Sequence, residues 1–323
     1  MSMNPEDMAK AMAMAMQMVQ QQSMAQPTTD DWQVAEAPME SDIVLGDEIG
    51  LADYEARISK PKGIDFSFKK LEGLPTGTFL DDMFLDHEEK PIGGLPKTVQ
   101  MAMTGLAGAG KSILISEIAL KSAGKGIPTL LVTSEDVFET DSERFDLQSR
   151  LKVKADILEI DWTLIQDNLF VLDAVSSPDL RHWKDFAETY RYTCQKYGIR
   201  LSLIDSVTML EDTRGALKYR VMEICRFNQE QGITALMVNQ RTKETWDAYE
   251  MAGGHAIAHA VDGTILIDYG RTYHNDQVEE LGKRGTSVRM ARIMDCRLCN
   301  FDRDRKPIDI SSDGFIRLVE NTT

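Results

Sequence analysis

The stretch that decides the fold is Gly105-Leu-Ala-Gly-Ala-Gly110-Lys111-Ser112. It satisfies the pattern G-x-x-x-x-G-K-S/T, follows the apolar run Val99 to Met103, and opens a helical pattern, Ser112 to Ser122. Glycines in such a loop let successive backbone amides converge on phosphate oxygens at a helix N-terminus. The stretch therefore predicts a phosphate-binding loop between a strand and a helix.

Each part of this loop has a predicted task. The Lys111 side chain should reach the β and γ phosphates of a nucleotide, and the Ser112 hydroxyl is a candidate ligand of Mg²⁺. The predicted cofactor-binding residues of the loop are Gly105, Leu106, Ala107, Gly108, Ala109, Gly110, Lys111, Ser112 and Ile113. The ligands implied by this pattern are ATP and Mg²⁺.

Two further apolar runs end in carboxylates. Leu201-Ser-Leu-Ile-Asp205 presents Asp205, which we predict to be the second protein ligand of the metal, although an aspartate in this position is often a turn or cap residue. The run from Leu130 leads to Glu135, the candidate general base that orients water. Further acidic residues follow Glu135 closely, so the alternative is that it begins a solvated acidic loop.

Short apolar runs alternate with longer helical patterns from about residue 97 onward. Strands separated by helical crossovers imply an α/β fold with a mainly parallel central sheet and helices on both faces. Ligands bind such sheets at the carboxyl ends of the strands. The predicted strands are Val99 to Met103, Thr129 to Thr133, Leu169 to Leu172, Leu201 to Asp205, Ala235 to Val238 and Thr264 to Ile267, and the predicted helices are Ser112 to Ser122, Pro178 to Tyr197 and Gly215 to Gln231.

Composition limits the class of protein. A chain of 323 residues that is 42% apolar and 27% charged can bury the core of one large domain or two small ones, which excludes a disordered or fibrous protein. Its longest apolar stretches are far shorter than the roughly 20 residues of a membrane span. The Met-rich start lacks the features of a secretory signal. We therefore expect a cytoplasmic protein with no membrane span.

The net charge of −16 is unevenly distributed along the chain. Residues 1–56 contain eleven acidic residues and one basic residue, and so account for −10 of it. This pattern predicts two regions: residues 1–56, with a Met-rich helix from Asn4 to Gln26 and an acidic linker or arm, and a core of residues 57–323. The helix is either a docking element for a protein partner or a frayed tail. The core is only mildly acidic, which leaves room for a local basic groove that could bind nucleic acid.

Four cysteines in a chain of this length do not form a disulfide scaffold, so a reducing compartment is expected. Cys296-Arg-Leu-Cys299 has the spacing of half a zinc ribbon, but the sequence contains no second pair. Ordinary thiols are favoured over metal or redox use.

Several stretches beyond the loop resemble the RecA superfamily of ATPases, specifically its archaeal RadA/RadB and KaiC-like branch. Pro75 to Asp82 followed by Gly93-Gly-Leu-Pro96 is similar to the approach to the phosphate loop in KaiC-like proteins. Leu203-Ile-Asp-Ser-Val207 is similar to the second nucleotide motif of RadA, and Ala235-Leu-Met-Val-Asn-Gln240 to the strand whose terminal Gln senses the γ-phosphate. Residues 253–259 and 289–295 resemble later parts of RadA. The resemblance covers about residues 60–319.

The resemblance implies a RecA-like core that has a C-terminal antiparallel hairpin and assembles head to tail as a homo-oligomer, with ATP held between neighbouring subunits. Carried over by position, Gln240 becomes the γ-phosphate sensor, and Asp295 contributes to the nucleotide cap of a neighbour. The resulting prediction is slow, Mg²⁺-dependent ATP hydrolysis with Lys111, Glu135 and Gln240 as catalytic residues. Nucleotide state would then act as a switch for assembly or partner docking.

Two alternatives remain open from the sequence. A recombinase paralogue would bind single-stranded DNA through Trp246 and Tyr249, which could stack on bases. DNA is the less favoured partner. The first loop that would grip it, Thr208 to Arg214, is short and contains the acidic residues Glu211 and Asp212, and the second, Arg241 to Glu250, mixes charges instead of presenting a basic run. The second alternative is a nucleotide-gated scaffold that binds ATP with negligible hydrolysis.

Overall fold

A nine-stranded sheet runs through the part of the chain that the structure describes. The structure is a computed structural model and describes residues 71–143, 145–210, 216–240, 255–271, 285 and 287–319. These residues all belong to one compact unit, Lys69–Thr323. The predicted boundary at residue 56, the Met-rich helix and the acidic arm lie outside the described residues.

The elements alternate between strands and helices along most of the chain. The strands are β1 (Gly73–Leu74), β2 (Phe84–Leu85), β3 (Leu95–Pro96), β4 (Gln100–Gly105), β5 (Thr129–Thr133), β6 (Leu169–Asp173), β7 (Leu201–Asp205), β8 (Thr234–Gln240), β9 (Gly263–Arg271), β10 (Ser287–Cys296), β11 (Asn300–Phe301), β12 (Lys306–Ile310) and β13 (Ile316–Leu318). The α-helices are α1 (Lys111–Gly124), α2 (Leu147–Ile157), α3 (Trp162–Asn168), α4 (Trp183–Tyr197), α5 (Leu217–Gln231) and α6 (His255–Ala260). Short 3-10 helices span Phe79–Asp82, Pro178–Arg181 and Val207–Leu210.

The large sheet has the strand order β13-β12-β10-β9-β4-β8-β7-β5-β6. Strands β4 to β9 are mutually parallel, whereas β10, β12 and β13 extend the sheet in antiparallel fashion. This arrangement confirms the predicted α/β fold with a mainly parallel sheet and a C-terminal antiparallel hairpin. It also places β4 at the centre, between β9 and β8.

Side chains of the parallel strands alternate between two covered faces. On one face, Met101 and Met103 of β4 and Leu131 of β5 pack with α1, α2 and α3. On the other face, Ala102 of β4 and Leu130 of β5 pack with α4, α5 and α6. Burial on both faces explains why these strands appear in the sequence as unbroken apolar runs.

Local signals set several helix ends. Asp146 and Asp161 cap the amino ends of α2 and α3 by accepting hydrogen bonds from backbone N–H groups. Gly198 and Gly232 directly follow α4 and α5 and cap their carboxyl ends, with left-handed φ angles of 61° and 70°. No helix within the described ranges is both long enough and apolar enough to cross a bilayer.

The six predicted strands are all present, with bounds that differ by a few residues at most. The predicted helix Pro178 to Tyr197 is divided, because His182 is extended between the 3-10 helix and α4. Helices α2 and α3 were not predicted. Val153 and Ile157 of α2 are exposed, so its apolar residues do not mark a single face, and α3 is only seven residues long.

A short excursion between residues 83 and 92 interrupts the approach to the phosphate loop. Its strand β2 pairs with β11, with Leu85 opposite Asn300 and Phe84 opposite Phe301. Phe84 is fully buried in the main core. The excursion is therefore anchored to the segment that follows β10.

Candidate nucleotide site at the carboxyl edge of the sheet

The predicted phosphate loop connects β4, which ends at Gly105, to α1, which begins at Lys111. Gly105 has a φ of 152°, and a Cβ added there would lie 1.7 Å from the Ile267 carbonyl oxygen of β9. Gly110, the residue before α1, has a φ of 112°. The close approach of β9 and the left-handed backbone therefore require glycine at these two positions.

Lys111 is folded against its own loop. Its Nζ donates hydrogen bonds to the carbonyl oxygens of Gly105, at 2.8 Å, and Leu106, at 2.7 Å. Burial lowers the pKa of Lys111, while the negative charges of Asp205, Asp268 and Glu135 oppose that shift. The three carboxylates thus surround a cation whose side chain is almost entirely shielded from solvent.

The metal-ligand candidates Ser112 and Asp205 are in direct contact. Strand β7 lies beside β5 with Asp205 opposite Thr133, and the Asp205 carboxylate forms a hydrogen bond with the Ser112 side chain. Burial raises the pKa of Asp205 to about 6; the Ser112 hydrogen bond and Lys111 counteract this, and Glu135 and Asp136 add to it. The sequence pattern thus identified two groups that the fold brings together.

This pair of oxygen donors suits Mg²⁺ chemically. Mg²⁺ prefers hard oxygen ligands and is usually held by one or two protein groups together with substrate phosphates and water. Across the described part of the chain, no group of three or more His, Cys, Asp or Glu residues could hold a metal ion by itself. A hydroxyl and a carboxylate beside the phosphate loop therefore fit a metal that shares its coordination with a nucleotide.

Glu135 and Gln240 meet at the same edge of the sheet. Gln240 ends β8 opposite Gly105, and its Nε2 donates a hydrogen bond to Oε1 of Glu135 at 3.1 Å. The neighbouring Asp136 instead forms a salt bridge of 2.8 Å with Arg150 of α2. The two carboxylates, which are neighbours in the sequence, therefore have different partners. Glu135 is bound by Gln240 next to the phosphate loop, and Asp136 is paired with α2.

A cavity of about 240 Å³ continues from this edge toward α2. Its lining includes the metal-ligand candidates Ser112 and Asp205 together with the charged residues Asp136, Arg150 and Lys154. Burial lowers the pKa of Lys154, and its Nζ lies 5.0 Å from the centre of the Phe315 ring. The space beside the metal-ligand candidates is thus bounded by charged groups from a helix that the sequence did not predict.

Two residues within β9, Asp268 and Tyr269, also reach the loop and were missed from the sequence. Asp268 is fully buried, and its Oδ1 accepts hydrogen bonds from the backbone N–H groups of Leu106, at 3.4 Å, and Tyr269, at 2.8 Å. The Tyr269 hydroxyl donates to the Gly108 carbonyl oxygen at 2.9 Å. The signal was available in the sequence, because Asp268 directly follows the apolar run Thr264 to Ile267, just as Asp205 follows an apolar run.

Asp295, the residue predicted to contribute to a nucleotide cap, lies away from the phosphate loop of its own chain. It sits on β10 opposite Thr264, which in turn is level with Ala102, three residues before the phosphate loop begins. At roughly 3.3 Å per residue, that is about 10 Å from the carboxyl end of β4, and β10 is two strands away from β4. The fold therefore does not bring Asp295 to the site of its own chain. Among the described residues, its Oδ1 is buried and has no hydrogen-bond partner.

Some residues named from the sequence fall outside the described ranges. Trp246 and Tyr249, the proposed base-stacking residues, belong to the segment 241–254, and Glu211 and Asp212 to the segment 211–215. The DNA-binding hypothesis therefore stays a prediction from the sequence.

The parallel sheet, the glycine-rich loop at its centre and the carboxylates at its edge define a protein of the RecA superfamily. A family model for the KaiC ATPase matches residues 74–323, so this chain belongs to the KaiC ATPase family. The predicted resemblance to KaiC-like proteins is confirmed, and nucleotide binding by an ATPase is the general function of the family.

Relatives and solved structures agree with this assignment. The chain is 24% identical over 240 residues to UPF0273 protein SSO1861 of Saccharolobus solfataricus, covering 71% of this chain and 79% of the relative. It is 22% identical over 242 residues to UPF0273 protein PF1931 of Pyrococcus furiosus, covering 69% of this chain and 87% of the relative. The fold is similar to the crystal structure of KaiC-like protein PH0186 from Pyrococcus horikoshii, with a TM-score of 0.57, 16% identity, and coverage of 77% of this chain and all of the other.

Proposed function

We propose that this protein hydrolyses Mg²⁺-ATP at an interface between neighbouring subunits, and that its nucleotide state controls assembly or the docking of a partner. The observation that carries the proposal is the hydrogen bond between Gln240 and Glu135, 3.1 Å long, at the edge where the phosphate loop begins. It joins the residue suited to activate water to the residue suited to sense the γ-phosphate.

The loop and its neighbours would hold the nucleotide. Backbone N–H groups from Gly105 to Ile113 would donate to the phosphates at the amino end of α1, and Lys111 would supply a positive charge to them. Ser112 and Asp205 provide oxygen ligands for the metal. Bound Mg²⁺ neutralises the charge that develops on the phosphate oxygens. Asp268 and Tyr269 keep the loop backbone in position through their contacts with Leu106 and Gly108.

Glu135 would act on the attacking water. Its carboxylate can accept a proton from water as the oxygen attacks phosphorus, provided that the carboxylate faces the nucleotide. The Gln240 amide restrains one carboxylate oxygen, which fixes the orientation of the base. Asp136 cannot exchange roles with Glu135 easily, because it is paired with Arg150.

Gln240 also offers a route from the nucleotide to the rest of the chain. It is the last residue of β8 and immediately precedes residues 241–254. Loss of the γ-phosphate would change the hydrogen-bond partners of its amide and thereby bias the segment that follows. The N-terminal Met-rich helix and acidic arm are further candidates for contacts with a protein partner.

The position of Asp295 supports an interface role. Within its own chain it lies away from the phosphate loop, so any contact between Asp295 and a nucleotide requires a second subunit. Head-to-tail assembly would bring β10 of one subunit toward the nucleotide of another. ATP would then stabilise the assembly, because it contacts both subunits only when they are joined.

Light scattering of the purified protein tests this proposal. We expect its mass to increase with Mg²⁺-ATP and to decrease as ATP is consumed, with no increase for Lys111→Ala. Asp295→Asn should weaken assembly, whereas Asp309→Asn, which alters an exposed carboxylate on the nearby strand β12, should not. Unchanged mass in all nucleotide states would contradict the switch, and a complex with added single-stranded DNA would favour the recombinase alternative.

A further inference from the structure

The two cysteines at the end of β10 form a close pair that the nucleotide site does not use. Cys296 is the last residue of β10, Cys299 immediately precedes β11, and their Sγ atoms are 3.6 Å apart within hydrogen-bonding range. Arg297 and Leu298, which lie between them, are exposed, so the pair is at a turn that solvent reaches. Both cysteines are free thiols.

The backbone on both sides of this turn is held in place. Before it, Cys296 pairs with Gly263 of β9, where a Cβ would lie 2.3 Å from the Asp295 carbonyl oxygen, and Arg297 N–H donates to the Asp262 carbonyl oxygen at 2.8 Å. After it, Asn300 pairs with Leu85 of β2. The two thiols are thus kept close by the fold and do not depend on a chance encounter in a loose loop.

The surroundings of the pair favour a thiolate at Cys296. A hydrogen bond from Cys299 and the backbone N–H groups of Leu298 and Cys299 lower the pKa of Cys296 to about 7, although burial and the nearby charge of Asp262 oppose this. The pKa of Cys299 is raised, chiefly by its hydrogen bond to Cys296 and by burial. One sulfur is therefore suited to attack, and the other to resolve.

The other two cysteines provide a contrast within the same chain. Cys194 and Cys225 are each only 3% exposed, and burial raises the pKa of each thiol to about 12. Thiolate character and access both control cysteine reactivity. Chemistry with a disulfide should therefore be confined to Cys296 and Cys299.

We propose that Cys296 and Cys299 form a thiol–disulfide exchange site that takes a low-molecular-weight disulfide as its substrate. The Cys296 thiolate attacks one sulfur of the substrate RSSR, forms a mixed disulfide, and releases RS⁻, which takes up a proton. Cys299 then loses its proton and attacks Cys296 Sγ, and a second RSH leaves. The protein loses two electrons and two protons, and the substrate becomes two thiols.

The consequence for the fold is a covalent link across the turn between β10 and β11. Strand β10 carries Asp295 immediately before Cys296, and β11 holds the excursion that contains β2. A disulfide would therefore restrict the backbone at the end of β10, the strand that carries Asp295 and that we place at the subunit interface under the proposed function. The exchange chemistry itself does not depend on ATP binding or hydrolysis.

Redox titration of the full-length protein in mixtures of reduced and oxidised glutathione tests the site. After acid quenching and alkylation, trypsin cleavage after Arg297 separates the two cysteines, so an internal disulfide links two peptides that otherwise come apart. We expect this linked pair to accumulate as the oxidised fraction of glutathione rises, while Cys194 and Cys225 stay alkylatable. In reduced native protein, Cys296 should react with iodoacetamide at least ~100-fold faster than Cys225.

Two single variants separate the roles of the sulfurs. Cys299→Ser should accumulate glutathione on Cys296 as a mixed disulfide, because no resolving thiol remains, whereas Cys296→Ser should leave Cys299 largely unmodified. Failure of the linked peptides to form at any glutathione ratio would overturn the proposal, and so would equal reactivity of Cys299 in the Cys296→Ser variant. ATPase activity is not a readout of this experiment, so its result is independent of the proposed function.

Discussion

Gln240, at the end of β8, donates a hydrogen bond to Glu135, which follows β5, and so ties together two residues that are 105 positions apart in the chain. Between β8 and β5 lies β7, whose last residue, Asp205, contacts Ser112 of the phosphate loop. The base candidate, the sensor candidate and the metal-ligand candidates therefore lie at the ends of neighbouring strands. Parallel strands produce this convergence because all their carboxyl ends reach the same edge.

Replacement of Glu135 by Gln should separate ATP binding from hydrolysis. The amide cannot accept the proton of the attacking water, so we expect turnover to fall about 10²- to 10⁴-fold with ATP affinity nearly unchanged. Asp136→Asn is the matched control, because this adjacent carboxylate pairs with Arg150, and it should retain most of the activity. Steady-state phosphate release and nucleotide titration provide the measurements. Equal, low turnover in wild type and Glu135→Gln would instead favour the scaffold alternative.

Stability should depend on pH through Asp205. Its pKa is about 6 in the folded protein, against an ordinary value of 3.8, so between these values the folded chain retains a proton that the unfolded chain has released. The unfolding free energy contributed by this group therefore falls as pH rises from about 4 to 6. Urea denaturation at several pH values in this range, without Mg²⁺, would measure the unfolding free energy of wild type and Asp205→Asn. We expect this free energy to fall less steeply with rising pH in Asp205→Asn than in wild type. Identical pH dependence in the two proteins would contradict the assigned environment.

Metal affinity should change with pH in the opposite direction. Mg²⁺ requires the deprotonated carboxylate, so its affinity for the nucleotide-bound protein should increase as pH rises through about 6. Asp205→Asn should weaken Mg²⁺ binding and remove this contribution to its pH dependence. Calorimetric titration at pH 5.5 and 7.5 with excess nucleotide would measure both effects. A wild-type affinity that is independent of pH, after correction for the nucleotide itself, would argue against Asp205 as a ligand.

The Tyr269 hydroxyl should contribute to the preorganisation of the loop. Tyr269→Phe removes the 2.9 Å hydrogen bond to the Gly108 carbonyl oxygen while leaving the ring in place. A neutral hydrogen bond contributes about 0.5–1.5 kcal/mol, so we expect ATP affinity to fall roughly 2- to 10-fold. Tyr219→Phe, at a side chain that is 70% exposed, serves as the control. Equal ATP affinities for Tyr269→Phe and this control would contradict a role of the Tyr269 hydroxyl in nucleotide binding.

Glycine at position 105 is required for structural reasons. The Cβ of Gly105→Ala would lie 1.7 Å from the Ile267 carbonyl oxygen, so β4 and β9 must separate, at a cost of about 3 kcal/mol or more. Gly126→Ala is the control, because Gly126 also has a positive φ, of 76°, but its Cβ would meet nothing within 4 Å. That change should cost only about 1–2 kcal/mol, the penalty of a left-handed backbone for a residue that has a Cβ. Thermal or chemical denaturation would measure the loss of stability in both variants. A much larger loss for Gly105→Ala than for Gly126→Ala would show that the clash with the β9 backbone, and not the positive φ alone, requires glycine at position 105.

Much of this architecture could be predicted from the sequence because its signals are local. The loop pattern from Gly105 to Ser112 identifies a strand, a turn and a helix within about twenty residues. Fully buried parallel strands such as Leu201–Asp205 are recognisable as apolar runs that end in a polar residue. Composition and spacing were sufficient for these elements, since each depends on neighbours in the chain.

The contacts that complete the site could not be predicted in the same way. Asp268 and Tyr269 reach the loop only because β9 lies beside β4. The order of strands in a sheet cannot be predicted from the sequence of any one strand. Likewise, Arg150 lies near Asp136 only because α2 packs there. Helix α2 was not recognisable from the sequence, because Val153 is apolar but exposed and so disrupts the expected apolar face. These relationships depend on tertiary packing and become visible only when the sheet is assembled.

ATP binding by wild type and Lys111→Ala is the measurement that tests the central claim most directly. Lys111 is the cation of the phosphate loop, and because burial disfavours its charge, its removal should not unfold the protein. We predict that Lys111→Ala loses ATP affinity by at least ~100-fold while its circular dichroism spectrum and melting temperature stay close to those of wild type. Lys125→Ala, an exposed lysine at the end of the same helix, should bind ATP normally. Undiminished ATP affinity in the folded Lys111→Ala protein would contradict the assignment of this loop as the nucleotide site.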